Sequence, residues 1–189
     1  MATRSALESR TPLEEDANFN RALSFALCKL HSRDLTLKTQ QKEAIRHVWE
    51  GKDVFVVLPT GFGKSMVYEV LPFLFDFKLG RIHGPVKSLV VVVSPLLSLM
   101  ADQVASLRRR GVKAAILSTK SATLEKSLLA TDRDFQASSL LFGSPEALIA
   151  TKWREQIDTQ AVAKRIVAIV IDEAHCVSKW YRCIIVCVK

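Results

Sequence analysis

Two groups of residues have the types and spacing needed to bind phosphate and a metal ion. The first is the loop Thr60-Gly61-Phe62-Gly63-Lys64-Ser65. Its glycines let backbone amides turn toward an anion, its lysine meets the charge of that anion, and its hydroxyl can hold magnesium. The second is the pair Asp172-Glu173, in which one carboxylate can bind the metal and the other can orient or deprotonate water. Together they predict a nucleotide site.

Each group follows an apolar run that predicts a strand buried on both faces, at residues 54–58 and 165–171. A helix is predicted from Met66, so free amides and the positive end of the helix dipole point at the loop. A plain glycine turn and a plain acidic helix cap are the alternatives for the two groups. Their shared position, after a buried strand, favours the nucleotide site.

The rest of the chain alternates between predicted strands and helices. Further strands are expected at 88–93, 112–117 and 139–142, and helices at 17–31, 39–51, 96–110, 122–130 and 153–164. A polar turn is expected through Asp132 and Asp134, and a helix that Ser144 caps and Pro145 opens. This alternation predicts an α/β fold with a mostly parallel sheet, helices on both faces and the candidate chemistry at one edge.

Composition limits the classes of protein that fit. The 189 residues suit one globular domain, and a formal net charge of +8 is compatible with a polyanionic partner. The arginines at 108–110 suit either phosphate binding or the negative end of a helix dipole. The longest apolar stretch, residues 89–100, is interrupted by polar residues, so no membrane span is expected. The acidic residues near the start argue against a targeting peptide and favour the cytosol or nucleus.

The four cysteines do not form a recognisable metal or disulfide pattern. They are Cys28, Cys176, Cys183 and Cys187, and no two of them have the Cys-x-x-Cys spacing. A zinc site that adds His175 to the last three would match no common spacing. We therefore predict reduced thiols.

Taken together, five segments resemble the first RecA-like lobe of superfamily 2 helicases, and most closely the RecQ family. Leu37-Lys38-Thr39-Gln40-Gln41 resembles the adenine motif of that family, and residues 58–65 resemble motif I. Residues 92–104 match motif Ia, Ser144-Pro145-Glu146 resembles a later DNA-contacting motif, and residues 172–180 resemble motif II running into the aromatic-rich loop. The resemblance covers residues 17–180 and implies a RecA-like, three-layer P-loop fold.

The resemblance also implies an activity and roles for single residues. The family consists of ATP-dependent DNA helicases that move 3′ to 5′ on single-stranded or forked DNA in repair and recombination, in the nucleus or, in prokaryotes, the cytoplasm. Lys38 and Gln41 would contact adenine, while Lys64 would meet the β and γ phosphates of ATP. Ser65 and Asp172 would serve Mg²⁺, Glu173 would handle water, and His175 would link hydrolysis to DNA. The implied DNA contacts are Ser94, Pro95, Gln103, Ser144 and Trp180.

The end of the chain departs from the family pattern. We expect a disordered lead-in at residues 1–16, an ATP-binding domain at 17–180 and a divergent tail at 181–189 that forms an exposed or loosely paired strand. The second lobe of the family, with its arginine finger, does not follow, which suggests a truncated isoform or an incomplete gene product. We therefore expect nucleotide binding without unwinding. An RNA-directed helicase lobe and a non-catalytic nucleotide-binding regulator are the alternatives.

Overall fold

The computed structural model describes residues 12–31, 36–117, 128–173 and 183–188. Within these residues the chain forms nine helices and six strands. The helices are α1 (Pro12–Lys29), α2 (Thr39–Trp49), α3 (Ser65–Glu69), α4 (Leu71–Lys78), α5 (Leu97–Arg109), α6 (Asp132–Ala137), α7 (Pro145–Ile149), α8 (Thr151–Asp158) and α9 (Gln160–Ala163). The strands are β1 (Val54–Val57), β2 (Leu89–Val93), β3 (Ala114–Leu117), β4 (Leu140–Gly143), β5 (Ile166–Ile171) and β6 (Cys183–Val188).

All six strands form one sheet in the order β1-β6-β5-β2-β4-β3. Strands β5, β2, β4 and β3 are parallel to their neighbours, whereas β6 is antiparallel to both β1 and β5. Because β1 and β5 are both antiparallel to the strand between them, β6, they run parallel to each other. The loop after β1 and the acidic pair after β5 therefore lie at the same edge of the sheet.

The core has two parts, one on each face of the sheet. On one face, helices α1 to α5 pack on alternate residues of the strands, among them Val56, Val92 and Val170. On the other face, α6, α8 and α9 pack through Phe135, Trp153 and Val162 on intervening positions of β2, β3 and β4. This alternation follows from the two-residue period of a strand. The predicted mostly parallel sheet with helices on both faces is confirmed.

Strand β1 is less buried than its apolar sequence predicts. Phe55 and Val57 are 60% and 51% exposed, and on the same face of the sheet Ile169 is 43% exposed. Helices α6, α8 and α9 pack on β2, β4, β3 and the first residue of β5, Ile166, on that face. The expectation that residues 54–58 are buried on both faces was therefore wrong for this strand, since an apolar run does not show which face a helix covers.

The tail was expected to be exposed or loosely paired, and this prediction was wrong. Strand β6 pairs with β1 from Val54↔Val186 to Val57↔Cys183 and with β5 from Ala168↔Val188 to Ile171↔Ile185. Val186 is completely buried. Strand β6 occupies an interior place in the sheet, where both of its edges have hydrogen-bonding partners.

Three local boundaries also differ from expectation. Helix α1 begins at Pro12, five residues before its predicted start at residue 17. The polar turn through Asp132 and Asp134 is instead helix α6, because the Thr131 hydroxyl accepts from the Asp134 N–H and the Asp134 carboxylate accepts from the Thr131 N–H. The predicted helix at 122–130 lies mostly outside the described residues, but Leu129 forms a β-bridge with Ile116.

No helix in the described part of the chain has both the length and the apolar character of a membrane span.

The pairing of β6 can be tested with two matched substitutions. Val186→Asp would place a charge at a position with no solvent exposure, so we expect it to lower the free energy of unfolding by about 3 kcal/mol or more. Val57→Asp, on the neighbouring strand but half exposed, should cost less than about 1 kcal/mol. Urea unfolding measures both, and equal costs would show that β6 does not occupy the interior of the sheet.

Candidate nucleotide-binding site

The loop between β1 and α3 needs both of its glycines, and Gly63 for a second reason as well. Gly61 and Gly63 have φ values of 76° and 81°, in the left-handed region that glycine enters without steric cost. A Cβ atom on Gly63 would also lie 2.8 Å from Nε2 of Gln41. The backbone of this loop therefore turns twice at positions where another residue would be strained, as expected for a phosphate-binding loop.

The Lys64 side chain folds back over the loop. Its ammonium group donates to the carbonyl oxygens of Leu58 and Pro59, at 3.1 and 3.3 Å. Neither acceptor carries a full charge, so phosphate oxygens that reach the loop would be better partners for this cation. Lys64 is thus held at the loop, with its charge uncompensated by any carboxylate in the described part of the chain.

Gln41 joins helix α2 to the loop. Its Oε1 accepts from the Lys38 N–H at 2.8 Å, and its Nε2 donates to the carbonyl oxygens of Phe62 and Gly63 at 3.0 and 2.8 Å. The ammonium of Lys38 lies 3.7 Å from the centre of the Phe62 ring. The two residues predicted to contact adenine are therefore brought together beside the phosphate-binding loop, where Gln41 holds its backbone in place.

The carboxylate of Asp172 is buried and accepts several hydrogen bonds. Its Oδ2 accepts from the Tyr68 hydroxyl at 3.0 Å and from Nε2 of Gln103 at 3.3 Å. Its Oδ1 accepts from the Glu173 N–H at 2.9 Å, and its own N–H donates to the Val93 carbonyl at 2.8 Å. The acid is thus oriented by α3, α5 and β2 together.

Tyr68 remains a hydrogen-bond donor because of where it lies. It is completely buried, and burial raises the pKa of its hydroxyl well above the usual range, with the carboxylates of Asp172 and Glu69 raising it further. The hydroxyl therefore stays protonated and donates its hydrogen bond to the Asp172 carboxylate. Glu69, the next residue along α3, is paired with Arg110 at 2.7 Å, which ties α3 to the end of α5.

The donor set suits a magnesium ion. Ser65 begins α3 and lies three residues before Tyr68, on the same face of the helix, so the Tyr68 contact brings the start of α3 toward Asp172. A hydroxyl and a carboxylate are oxygen ligands of the kind Mg²⁺ prefers. Beside them, Oε1 of Gln103 and Oγ of Ser94 are buried without a hydrogen-bond partner among the described residues. Such orphaned oxygens fit a site completed by an ion and its water.

Glu173 has an unusual backbone conformation. Its φ is 55°, in the left-handed region that residues other than glycine rarely adopt. The strained conformation directs its N–H at Oδ1 of Asp172. Strain of this kind clusters at functional sites, so the observation motivates a role for Glu173 at the same site.

The predicted DNA contacts are placed differently from one another. The Ser94 side chain is completely buried, and Nε2 of the partly buried Gln103 donates to Asp172. Gln103 points this way because it lies on the inward face of α5, beside the buried Met100, Val104 and Leu107. Pro95 is exposed, and the Ser144 hydroxyl accepts from the Ala147 N–H as an N-cap. His175 and Trp180 lie outside the described residues, as does Cys176 of the zinc alternative.

The arginines at 108–110 now have assigned partners in two cases. Arg108 donates to the Ala114 carbonyl and Arg110 pairs with Glu69, which favours a structural role over phosphate binding for these two. Sequence reasoning missed Tyr68 and Gln103 as neighbours of Asp172. The signal available was their apolar surroundings, since a tyrosine or glutamine on a buried helix face needs a polar partner.

The fold and the loop define the chain as an α/β protein with a phosphate-binding loop of the helicase type. The sequence model described as DEAD/DEAH box helicase matches residues 38–186, a range that includes most of β6. The chain therefore belongs to the DEAD/DEAH box helicase family.

Its relatives include RecQ helicases, as the motifs predicted. The chain is 36% identical over 144 residues to the ATP-dependent helicase SGS1 of Saccharomyces cerevisiae, covering 76% of this chain and 10% of that protein. It is 36% identical over 141 residues to the ATP-dependent DNA helicase RecQ of Haemophilus influenzae, covering 74% and 20%. It is 32% identical over 179 residues to the ATP-dependent DNA helicase Q5 of Rattus norvegicus, covering 93% and 17%. The chain thus spans a quarter or less of these relatives.

A solved structure shares the fold. The DUF1998 helicase MrfA, crystallised with DNA and AMPPNP, superposes with a TM-score of 0.59 at 20% identity, over 92% of this chain and 22% of MrfA. The predicted RecA-like architecture is confirmed.

Removing the Tyr68 hydroxyl tests whether it orients Asp172. Tyr68→Phe keeps the ring in the core but deletes a hydrogen bond to a charged group, so the free energy of unfolding should fall by about 1–3 kcal/mol. In an Asp172→Ala background the same change should cost at least about 0.5 kcal/mol less, because the partner is already absent. Urea unfolding of the four proteins measures the coupling, and equal costs in the two backgrounds would contradict it.

Proposed function

We propose that the chain is the nucleotide-binding lobe of a RecQ-like, ATP-dependent 3′ to 5′ DNA helicase, that it binds Mg-ATP and contacts single-stranded DNA, and that it does not unwind DNA alone. The observation that carries the proposal is the buried hydrogen bond between Tyr68 and Asp172. It connects the helix that begins at the phosphate-binding loop to the acid at the end of β5. Function in DNA repair, in the nucleus or a prokaryotic cytoplasm, belongs to the same proposal.

The roles proposed for the loop follow from charge and geometry. Lys64 would exchange its two carbonyl contacts for phosphate oxygens, and the amides around Gly61 and Gly63 would donate to the same phosphates. Thr60 precedes these amides and belongs to the same loop. Bound Mg²⁺ would neutralise charge on the phosphates, and Ser65 and Asp172 are the residues that would hold it. Glu173 would orient or deprotonate water, and His175 would connect this site to DNA.

One lobe by itself should hydrolyse ATP slowly and should not unwind DNA. In phosphoryl transfer an arginine finger contributes about a thousandfold or more, and the RecQ resemblance assigns this residue to a second lobe of the whole helicase, so one lobe alone is without it. We therefore propose slow hydrolysis. Movement along DNA needs two lobes that close on one nucleotide, so unwinding should not be detectable.

Substitution of Lys64 tests nucleotide binding. Lys64→Ala removes the cation from the loop and should weaken Mg-ATP binding at least about tenfold, since a charge-assisted contact to phosphate is lost. Lys52→Ala is the matched control, because Lys52 is exposed and lies before β1 at the opposite edge of the sheet. Titration calorimetry measures both, and unaltered binding by the Lys64 variant would overturn the proposal.

The same preparations separate the alternative functions. ATP turnover should be slow and rise with single-stranded DNA, whereas strand separation should be absent. A stronger response to RNA than to DNA would favour an RNA-directed lobe. Binding of one nucleotide without any turnover, with DNA present, would favour a non-catalytic regulator.

Recognition of adenine is tested at two adjacent glutamines. Gln41 is buried against the loop and Gln40 is exposed. Gln41→Ala should weaken ATP binding more than GTP binding, lowering the ratio of the two affinities about tenfold, because a planar amide that can match the adenine edge is lost. Gln40→Ala should leave the ratio unchanged. Equal weakening of ATP and GTP by Gln41→Ala would mean that Gln41 acts only by holding the loop.

A further inference from the structure

We propose that the amino-terminal edge of the sheet carries a second DNA-binding surface, a basic groove that takes a phosphodiester backbone independently of the nucleotide site. The groove is defined by Arg81, Lys87, Lys113, Lys164 and Arg165. The inference deepens the proposed function, on which it rests for the identity of the polyanion.

The groove lies where the parallel strands begin. Lys87 comes shortly before β2, Lys113 directly before β3 and Arg165 directly before β5. They line a concavity of about 540 Å³ whose other lining residues are neutral. The acid next to it is the buried Asp76, whose carboxylate accepts from the Lys87 N–H and interacts with the charge of Arg165 without lining the groove. The sequence analysis places all candidate functional residues at the carboxyl edge. It does not indicate the groove, because these cations are far apart in sequence and are brought together only by the sheet.

Arg165 makes a rigid floor for the groove. Its guanidinium donates to the carbonyl oxygens of Lys87 at 2.8 Å and Ser138 at 2.7 Å, and also to that of Gln136. These bonds join the starts of β5 and β2 to the end of α6. Its charge remains, while its hydrogen-bonding capacity is largely used by the protein. Arg165 therefore positions the groove, and the other cations are the groups available to a ligand.

The cations on the rim are not neutralised by neighbours. Arg81, Lys87, Lys113 and Lys164 form no ion pair with an acid in the part of the chain that the structure describes. Elsewhere basic residues do have such partners, as in Arg46 with Asp16 and Arg154 with Asp158. A concave surface lined by one sign of charge concentrates its electrostatic potential and attracts counter-charges.

The shape of the surface favours an extended polyanion over a small one. A second concavity of about 360 Å³ shares Lys113 and Ala137 with the groove and continues it toward Arg108 and Gly111; its lining also includes one acid, Asp134, whose carboxylate accepts from Thr131. A single phosphate would engage one or two cations, whereas a backbone with a charge at every nucleotide can meet cations on separate loops at once. An acidic protein segment offers similar charge without this regular spacing, and it is the competing occupant that the experiment must exclude.

The groove and the nucleotide site are at opposite ends of one strand. Strand β5 has six residues and separates Arg165 from Asp172 by roughly 20 Å. This exceeds the screening length of about 8 Å at physiological salt. Loss of the groove cations should therefore leave Mg-ATP binding unchanged, and loss of Lys64 should leave the groove intact.

The test compares two triple variants of the 189-residue chain. The groove variant carries Lys87→Gln, Lys113→Gln and Lys164→Gln, and the control carries Arg21→Gln, Lys52→Gln and Arg154→Gln. All six residues are exposed, and each triple removes three positive charges from a chain of net charge +8. Fluorescence anisotropy with a labelled 30-nucleotide oligo-dT and a labelled 20-base-pair duplex, without nucleotide and across a salt series, measures DNA affinity.

We expect the groove variant to bind at least one of these DNAs about tenfold or more weakly than wild type at low salt. The slope of log affinity against log salt should fall by about 2 for the single strand or nearly 3 for the duplex, and the larger effect identifies the form of DNA bound. The control should change little. Equal losses in the two triples would reduce the effect to net charge and overturn the groove, as would absence of DNA binding by wild type.

Two further arms keep the failure of the groove distinct from the failure of the proposed function. Mg-ATP titration of the groove variant should match wild type, and Lys64→Ala should retain DNA binding without nucleotide. If Mg-ATP binds normally while both triples bind DNA equally, the groove fails and the nucleotide proposal stands. If labelled polyglutamate binds the groove more tightly than either DNA at equal salt, the occupant is an acidic protein segment and the proposal is overturned.

Discussion

Through its side chain and its backbone, Asp172 joins four segments of the chain that are distant in sequence. The acid at the end of β5 accepts from Tyr68 on α3 and from Gln103 on α5, and its backbone is bonded to β2 through Val93. A carboxylate that is only 5% exposed is costly unless its oxygens are satisfied. The need to satisfy it therefore fixes the start of α3, and with it the phosphate-binding loop, relative to the acid.

Strand β6 sets the lateral distance between the same two groups. It lies between β1 and β5, and it forms the hydrogen bonds that these strands would otherwise present as free edges. The loop after β1 is therefore two strand spacings from the acid after β5, about 10 Å across the sheet. Tyr68 spans part of this distance from the helix side. The pairing of β6 within the sheet and the Tyr68–Asp172 hydrogen bond on the helix side thus both fix the position of the loop relative to Asp172.

The order of elements was predictable from sequence because local patterns determine it. Apolar runs gave β2 and β5 to within about one residue, and Ser144 with Pro145 gave the start of α7. Partnerships were not predictable in the same way. The interior place of β6, the exposed face of Phe55 and the pairing of Tyr68 with Asp172 depend on which segments meet across the sheet. A single sequence does not show which segments become neighbours in the sheet.

The direction of the strands also explains why the two edges of the sheet differ in charge. Loops at the carboxyl edge must orient backbone amides and a metal-binding acid, so glycine and Asp172 lie there, whereas the amino edge has no such constraint and carries Lys87, Lys113 and Arg165. Strand β5 connects the two edges, since Arg165 precedes it and Asp172 follows it. Since a paired central strand moves as a rigid body rather than stretching, a ligand at one end can affect the other only by shifting the whole strand. Independent binding at the two edges is the physical expectation.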